Sequence, residues 1–280
     1  QSIANKSVLF FCWRSQFALL TTSGISINIQ KDQSKIKVLG NGSSNGIDIS
    51  EFSNSNLDTT IIDQLKIELD YSDDKIFVCP NGGTYQIPQR TKIDKRPLRV
   101  LYLGNLQPSK GIEDVIESAS ILKKEGVKDF EYEIIGGWRK DDVKERCLSL
   151  VDNEKLPVKF YPPEASKEKF NLMANADVFL FPPREPEGHP WVIVEAMASS
   201  LPIISTDQGA IIESVLDGYN GYIVPSKSPK DIAEKVKLLL TNDELRNTMS
   251  VASHTHYKNE FTEERMVEKL TNIFNTVIKN

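Results

Sequence analysis

The sequence is poor in the residues that bind metals and form disulfides. Its 280 residues include three cysteines and three histidines. Cys12, Cys79 and Cys147 are odd in number, far apart and without a CxxC spacing, which argues against a disulfide scaffold or a structural zinc site. No HExxH segment occurs, so we assign no metal and no cofactor. This cysteine usage is typical of a reducing compartment, and we therefore expect a cytoplasmic protein.

The sequence also lacks a long hydrophobic run and an excess of basic charge. Its most apolar stretch, Val8–Leu20, contains Arg14 and Gln16 and is too short to cross a bilayer. Only Lys6 precedes this stretch, and it shows no obvious small-residue cleavage site, unlike a normal signal peptide. We interpret it as a buried strand followed by a helix. The net charge of −5 gives no reason to expect a nucleic-acid partner.

What the sequence does contain is a regular alternation of short apolar runs with segments of helical spacing, starting at Leu98. Such an alternation predicts an α/β fold, with a parallel sheet covered by helices on both faces. The predicted strands are Leu98–Gly104, Tyr132–Gly137, Val158–Tyr161, Val178–Pro182, Pro202–Thr206 and Tyr222–Val224. The predicted helices are Gly111–Gly126, Asp141–Val151, Lys167–Ala176, Pro190–Ser199 and Ile211–Leu216, then three pieces after Pro229 with breaks near Asn242 and Phe261.

The first 97 residues are less regular. Lys35–Gly42 (KIKVLGNG) and Lys75–Gly82 (KIFVCPNG) resemble each other, and each predicts a strand that ends in an Asn-Gly turn. Chance similarity of two such strands is an equal alternative. Gln89–Pro97 is charged and ends in proline, which suits a linker between domains.

The stretch Glu187–Glu195 reads EGHPWVIVE and lies where a predicted strand gives way to a helix. Pro190 suits the first helical turn because it has no N–H to leave unpaired. Gly188 lets a ligand approach the backbone closely. The N–H groups of Trp191 and Val192 can then face an anion, assisted by the helix dipole.

Two carboxylates frame the same stretch. Glu195 lies about a turn and a half into the predicted helix, where it can accept hydrogen bonds from ribose hydroxyls. Glu187 precedes the helix, where a sugar can meet it, and His189 adjoins it. Two ordinary helix-end glutamates and a structural histidine are the alternatives. The combination with a Gly-x-Pro at a strand-to-helix junction favours a binding site.

A second stretch, Gly104–Gly111 (GNLQPSKG), follows a predicted strand and opens a helix. Lys110 supplies a point charge and the helix start adds N–H donors, an arrangement that suits a diphosphate. The stretch is not a P-loop, because Lys110 precedes the final glycine. It is not a GxGxxG motif either, so an NAD-dependent oxidoreductase is not supported. A solvated lysine is the alternative for this stretch alone.

From about Lys75 to its C-terminus, the chain resembles the family 4 retaining glycosyltransferases of the GT-B fold. Glu187 and Glu195 match the family's Glu-x7-Glu motif in spacing and setting. Three further segments resemble the sequences of the family: Ala196–Ala198, Leu201–Ala210 and Glu213–Gly221.

The resemblance implies a role for each matched position. Glu187 would contact the transferred sugar, Glu195 the ribose and Lys110 the diphosphate. The segment around Tyr161 falls where the family's backbone meets the nucleobase, and Gly136 begins the family's glycine-rich turn. The implied catalytic residues are Glu187 and Lys110, and the implied substrate-binding residues are Gly104, Asn105, Gly136, Tyr161, Gly188, His189, Pro190, Trp191, Val192 and Glu195.

The sequence departs from the family's pattern at two of these places. Asn105 stands where the family usually has an arginine, which removes one cation from the diphosphate site. Arg139 or Arg184 can supply the missing charge. Pro162 replaces the usual glycine beside Tyr161, so the contact with the nucleobase carries over less directly.

The resemblance also implies two Rossmann-like domains. We predict a partial N-terminal, acceptor-side domain over residues 1–90 and a nucleotide-sugar donor domain over residues 91–280. The final helix, 262–279, should pack back on the N-terminal region. Because the first region has roughly half the length of such a domain, we expect the chain to bind donor better than it catalyses transfer.

We therefore expect a glycosyltransferase that moves a hexosyl group from a UDP-sugar or GDP-sugar to a glycan or lipid-linked acceptor with retention. The pathway expected from the resemblance is surface polysaccharide biosynthesis, with the protein in the cytoplasm or in peripheral contact with the inner face of the membrane. Two alternatives stay open: a non-catalytic nucleotide-sugar-binding module and a GT-B-like sugar-nucleotide epimerase.

Overall fold

A computed structural model of the chain describes residues 7–12, 16–21, 76–90, 96–163 and 167–279. The first copy of the repeated element, Lys35–Gly42, lies outside these residues, as do residues 91–95 of the expected linker. The chain forms two compact units, one made of Gln1–Gly82 with Glu263–Asn280 and the other of Gly83–Thr262. The domain limits inferred from the sequence stay a prediction.

The helices and strands have the following bounds. The strands are β1 (Ser7–Cys12), β2 (Gln16–Thr21), β3 (Ile76–Cys79), β4 (Leu98–Leu103), β5 (Phe130–Ile135), β6 (Val158–Tyr161), β7 (Val178–Phe181), β8 (Ile203–Thr206) and β9 (Gly221–Val224). The helices are α1 (Ile112–Lys124), α2 (Asp141–Glu154), α3 (Lys167–Asn175), α4 (Trp191–Ala198), α5 (Pro229–Thr241), α6 (Asp243–Glu260) and α7 (Glu263–Lys279).

In the first unit, β1 pairs antiparallel with β2 and parallel with β3. The helix expected in the second half of Val8–Leu20 is therefore wrong, because that half is β2. A short apolar run does not distinguish a strand from a buried helix by periodicity, and its aromatic residues favour the strand. The helix α7 belongs to the same unit and contacts β3. The Cys79 thiol lies 3.8 Å from the carbonyl oxygen of Met266 in this contact.

The second unit is built on a six-stranded sheet in the order β6-β5-β4-β7-β8-β9. All neighbouring strands in it run parallel, so the predicted α/β fold is confirmed. The chain starts in the middle at β4, moves outward through β5 and β6, and then returns to the other side of β4 at β7. Adjacent strands whose chains leave in opposite directions form a topological switch point, where sheets of this kind bind ligands at their carboxyl ends.

Burial follows from this architecture. Every residue of β7 and β8 is buried, as expected for central strands covered on both faces. The helix α1 buries Ile112, Val115, Ile116 and Ala119, a spacing of three and four that keeps its apolar stripe on the sheet. The core therefore lies between the sheet and its helices, and the polar segments gather at the strand ends.

The strands and helices predicted from Leu98 onward are confirmed to within about two residues at most ends. The predicted break near Asn242 is a helix cap, since its side-chain oxygen accepts from the Leu245 amide at 3.0 Å. The helix predicted over Ile211–Leu216 is instead a short 3-10 turn, Ala210–Glu213.

Two histidines of helix α6 are less exposed than the sequence predicts. The polar segment that carries His254 and His256 predicts a solvated surface for both rings, yet both are half-buried: the His254 ring lies 3.2 Å from the carbonyl oxygen of Ala198, and His256 meets the ring of Phe261 edge-on at 5.0 Å. Contacts with the aromatic rings of Tyr257 and Phe261 bury the two histidines in part, although the helix α6 is polar. Among the described residues, no helix is both long and apolar enough to cross a membrane.

Candidate active site

Two loops meet at the switch point of the sheet: the β4 loop (residues 104–111) and the β7 loop (residues 182–190). Gly111 has a φ of +74°, and a Cβ atom there would lie 1.9 Å from the carbonyl oxygen of Pro182. The Arg184 amide donates to the Ser109 carbonyl at 2.9 Å. Only a glycine permits this approach, so the final glycine of the β4 loop brings the two loops together.

This contact places Lys110 and Glu187 side by side. The Lys110 ammonium donates to Glu187 Oε1 in an ion pair, and the two side chains are 25% and 16% exposed. Burial raises the pKa of Glu187, and the charge and hydrogen bond of Lys110 oppose that rise. The two predicted catalytic residues thus form one partly accessible pair of opposite charges at the carboxyl end of the sheet.

The backbone of Glu187 is fixed by the loop after β8. Gly209 has a φ of +68°, and a Cβ atom on it would lie 2.0 Å from the Glu187 carbonyl oxygen. The Ala210 amide donates to that same oxygen at 3.1 Å. Three consecutive strand ends of the sheet therefore define the position of Glu187.

The helix α4 starts directly after this loop. Pro190, predicted in the first helical turn, is instead the N-cap, with φ −65° and ψ 121°, one residue before the helix begins at Trp191. In α-helical geometry the N–H groups of Trp191 and Val192, the first two helical residues, have no intrahelical acceptor. Gly188 is exposed beside them. The loop therefore presents the carboxylate of Glu187 and the free N–H groups of the helix start within a few residues of each other.

Farther along α4, Glu195 is buried and forms an ion pair that the sequence did not predict. Its Oε1 accepts from the Lys169 ammonium of α3 at 2.8 Å. Its Oε2 and the indole Nε1 of Trp191 are buried without a hydrogen-bond partner among the described residues. Burial raises the pKa of Glu195, and the hydrogen bond and charge of Lys169 oppose that rise.

The β4 loop also contacts the loop after β5. A Cβ atom on Gly136 would lie 1.9 Å from the Gly104 carbonyl oxygen, so the glycine permits close packing of the two loops. Asn105 Oδ1 accepts from Arg139 Nε at 3.1 Å and from Arg139 Nη2 at 2.9 Å. Both side chains are exposed. The guanidinium of Arg139 therefore stands at the position where the sequence lacks the expected arginine.

Arg184, the other cation considered for that place, has carboxylate partners. Its guanidinium donates to Asp114 at 2.7 Å and to Glu113 at 2.9 Å, both at the start of α1. Its side chain thereby ties the β7 loop to α1.

Tyr161 and His189 are engaged within the protein. The Tyr161 hydroxyl donates to Glu133 Oε1 at 3.3 Å, and its carbonyl accepts from the Gly136 amide at 3.2 Å. His189 is 2% exposed, and its Nε2 lies 2.6 Å from Ser214 Oγ. Its ring stacks on that of Phe261 at 5.1 Å. Their predicted contacts with substrate stay predictions.

Sequence reasoning missed Lys169 and Gly209. Lys169 reads as a surface lysine of a short helix, and its partner lies 26 residues away, so no local pattern could connect them. Gly209 did carry a signal, because it lies in the loop directly after a strand, in the segment Asp207-Gln-Gly209. Within the described ranges, no group of three or more His, Cys, Asp and Glu side chains is arranged to hold a metal ion.

The chain matches a known family over most of its second unit. Residues 84–255, more than half of the 280, match Glycosyl transferases group 1. The capsular polysaccharide biosynthesis glycosyltransferase CapM of Staphylococcus aureus is 28% identical over 265 residues, 91% of this chain and 59% of that protein. The N,N'-diacetylbacillosaminyl-diphospho-undecaprenol alpha-1,3-N-acetylgalactosaminyltransferase of Campylobacter jejuni is 28% identical over 188 residues, 67% of this chain and 47% of that protein.

The chain thus spans about half the length of these curated relatives. The crystal structure of Alr3699/HepE from Anabaena in complex with UDP and glucose has a TM-score of 0.62 to it. That likeness covers 76% of this chain and 60% of that one at 18% identity, and so bears on the fold alone. The family 4 subclass and the retention expected from the sequence stay predictions, whereas the parallel sheet, the structural likeness and the family match confirm the broader expectation: this chain belongs to the glycosyl transferases group 1 and has the GT-B type of α/β fold.

Proposed function

We propose that this chain carries the donor site of a retaining glycosyltransferase. The donor is a UDP-sugar or a GDP-sugar, and the acceptor is a glycan or a lipid-linked sugar of surface polysaccharide biosynthesis. The protein works in the cytoplasm or against the inner face of the membrane. One observation carries the proposal: an accessible lysine and a carboxylate of raised pKa are paired at the switch point of the sheet.

The diphosphate takes the place of Glu187 beside Lys110. In the free protein the ammonium already has a carboxylate partner, and a diphosphate offers it more negative charge and more acceptor oxygens. The N–H groups at the start of α4 add donors to the same anion. When the bond from the anomeric carbon to the diphosphate oxygen breaks, these groups stabilise the charge that develops on the leaving oxygen.

Release from Lys110 leaves Glu187 available for the sugar. An ionised carboxylate accepts hydrogen bonds from sugar hydroxyls, and the backbone contacts to Gly209 and Ala210 fix the place from which it does so. Glu187 and Lys110 therefore act in turn, as partners before binding and as separate ligands of sugar and diphosphate afterwards.

Arg139 is the second cation of the proposed diphosphate site. It is exposed and bonded to the neutral amide of Asn105, so its charge is available to an anion. Arg184 has Asp114 and Glu113 as partners, which favours a structural role for it. Glu195 meets the ribose.

The names of relatives support the acceptor class. CapM of Staphylococcus aureus is named for capsular polysaccharide biosynthesis, and the Campylobacter jejuni relative is named for an acceptor linked to diphospho-undecaprenol. We carry both over as a proposal of a surface glycan assembled on a lipid.

Calorimetry with UDP, GDP, uridine and guanosine tests the donor site. We expect one diphosphate to bind and its own nucleoside to bind at least about tenfold more weakly, since charged hydrogen bonds each contribute about 1.5–3 kcal/mol. Equal affinity for diphosphate and nucleoside would count against the site, as would no binding of either diphosphate.

A non-catalytic binding module is the second candidate, because Asn105 is neutral where the family has an arginine. An assay with the UDP-sugar or GDP-sugar that binds separates the two. Release of nucleoside diphosphate, by transfer or by slow hydrolysis, supports the enzyme, whereas binding with no release at all supports the module.

A further inference from the structure

The ion pair between Lys169 and Glu195 is more buried than the pair at the switch point. The two side chains are 13% and 11% exposed, and the charged atoms lie 2.8 Å apart. Removing two charges from water costs several kcal/mol for each ion, and their attraction often fails to offset this cost. The fold does not require an ion pair at this place, because apolar side chains of similar volume would serve as well.

The carboxylate of this pair is only half satisfied. Glu195 is 8% exposed, and its Oε2 has no hydrogen-bond partner among the described residues. Trp191 Nε1 and the Tyr85 hydroxyl are likewise buried without a hydrogen-bond partner among the described residues. Tyr85 interacts with the charge of Glu195. A Cβ atom on Gly83 would lie 2.7 Å from that hydroxyl and 3.3 Å from the Trp191 ring. Since buried polar atoms in native proteins are nearly always paired, these atoms point to a ligand with hydroxyl groups.

We propose that Lys169 is a positioning residue for Glu195. It holds Oε1 and keeps the carboxylate ionised, so that Oε2 can accept a hydroxyl of the donor's ribose. The proposal rests on the function given above, in which Glu195 meets the ribose. It adds the residue that prepares this contact, and it makes Lys169 responsible for donor binding in mildly acidic solution.

The electrostatics around Glu195 support this role. Two titratable side chains interact with it, Lys169 from α3 and Tyr85 from the segment before β4. Burial, followed by the charge of Glu195, raises the pKa of Tyr85, so the phenol stays neutral. Lys169 therefore opposes the rise in the pKa of Glu195 that burial causes. Without it, Glu195 would take up a proton at higher pH and lose its strength as an acceptor.

Three variants separate positioning from packing. Lys169→Met keeps most of the apolar stem and removes the charged ammonium, whose Nζ lies 4.7 Å from the centre of the Phe170 ring. Lys169→Arg keeps the charge. Lys237→Met is the matched control, because it removes a lysine from the exposed pair with Glu125, which has the same 2.8 Å separation. Affinities for UDP and GDP are measured by calorimetry from about pH 5.5 to about pH 8.5, a range that spans raised glutamate pKa values.

For the diphosphate that binds, we expect Lys169→Met to weaken binding, and to do so about tenfold more at the acid end than at the alkaline end. Tenfold corresponds to one pKa unit, the low end of the effect of a neighbouring opposite charge. Lys169→Arg and Lys237→Met should follow the unmodified chain. A loss for Lys169→Met that is the same at every pH, or no loss, would overturn the proposal.

A second measurement needs no nucleotide. With glutamate labelled by ¹³C at the carboxyl carbon, the NMR signal of Glu195 is identified by its disappearance in Glu195→Gln. Its titration midpoint should lie higher in Lys169→Met than in the unmodified chain, and equal midpoints would overturn the proposal. Circular dichroism checks that Lys169→Met folds, and Lys169→Gln replaces it if it does not. If the unmodified chain binds neither UDP nor GDP, the proposed function fails, whereas the midpoints still decide how Lys169 acts on Glu195.

Discussion

The segments at the two ends of strand β7 each carry a carboxylate, Asp177 and Glu187, with opposite properties. At its amino end, Asp177 accepts from the Arg96 guanidinium at 2.7 Å, from the Arg99 amide at 2.8 Å and from Arg90. Burial raises the pKa of Asp177, but these bonds outweigh it and hold the pKa below its usual range. At the carboxyl end, Glu187 pairs with Lys110, and burial leaves its pKa raised.

The difference separates a structural charge, Asp177, from the charge that we propose to contact the substrate, Glu187. Asp177 has its charge compensated several times over, so a ligand could add little to it. Glu187 is held in a partly accessible place where its charge is poorly stabilised, which is typical of groups that act on a substrate. A cavity of about 380 Å³ opens at the amino ends of the strands β7 and β8, lined in part by Asp177, Arg246 and His254. Its charges are satisfied, Arg246 for example by Asp243 and the Leu239 carbonyl, so size alone does not locate the site.

The largest effect should come from Asp177→Asn. This change leaves Arg96, which is 11% exposed, without its carboxylate, and breaking a buried pair costs about 3 kcal/mol or more of unfolding free energy. Because the pKa of Asp177 is lowered in the folded protein, its contribution is present above the unfolded-state value of about 4 and is lost as the pH falls further. Urea denaturation at neutral pH and at about pH 3 measures both effects.

The exposed pair of Glu125 and Lys237 offers a control for Asp177. Glu125→Gln should change the unfolding free energy by less than about 0.5 kcal/mol, as for most surface substitutions. If Asp177→Asn costs no more than Glu125→Gln, the amino end of β7 is not the structural site described here.

Lys110→Met should have the largest effect on binding. It removes the proposed diphosphate cation and should lower affinity for the nucleoside diphosphate by about 1.5–3 kcal/mol, roughly tenfold to a hundredfold. Affinity for the matching nucleoside should be almost unchanged. Equal losses for both ligands in calorimetry would mean that Lys110 does not act on the phosphates.

Glu187→Gln should barely change stability, in contrast to Asp177→Asn. The pKa of Glu187 is raised on folding, so its contribution is present below the unfolded-state value of about 4.3 and is lost as the pH rises through the folded value. The variant should therefore gain stability relative to the unmodified chain between about pH 5 and about pH 8, within about 1 kcal/mol. Denaturation curves at both pH values measure this, and a destabilisation as large as that of Asp177→Asn would contradict the comparison.

The smallest effect should come from Arg139→Met. An exposed cation contributes about 0.2–1 kcal/mol to an ionic contact, so diphosphate affinity should fall by about 1.4-fold to fivefold with no change in stability. Arg184→Met is the counterpart: because it leaves Asp114 buried without its cation, it should lower stability. Calorimetry and denaturation of both variants test this division, and the reverse assignment would make Arg184 the diphosphate ligand.

Much of the second unit could be predicted from the sequence because its signals are local. The strands β4 to β9 and the helices between them follow from short apolar runs and helical spacing. Lys110 and Glu187 are indicated by their places after strand ends, and Glu195 by its place in the helix that follows Glu187. What the sequence could not give is pairing across the fold. Lys169 meets Glu195 only through the tertiary fold, across 26 residues of sequence, and β2 is a strand because it pairs with β1. In neither case does the residue pattern of one segment show which distant segment it contacts.

A crystal structure of this chain with the nucleoside diphosphate that binds it tests the central claim most directly. The account predicts a phosphate oxygen within about 3 Å of Lys110 Nζ, the length of a charged hydrogen bond, with Glu187 released from Lys110 and ribose hydroxyls at Glu195 Oε2. Two results would contradict it: a nucleotide bound elsewhere, for example in the cavity beside Asp177 and Arg246, or a nucleotide bound while Lys110 and Glu187 stay paired.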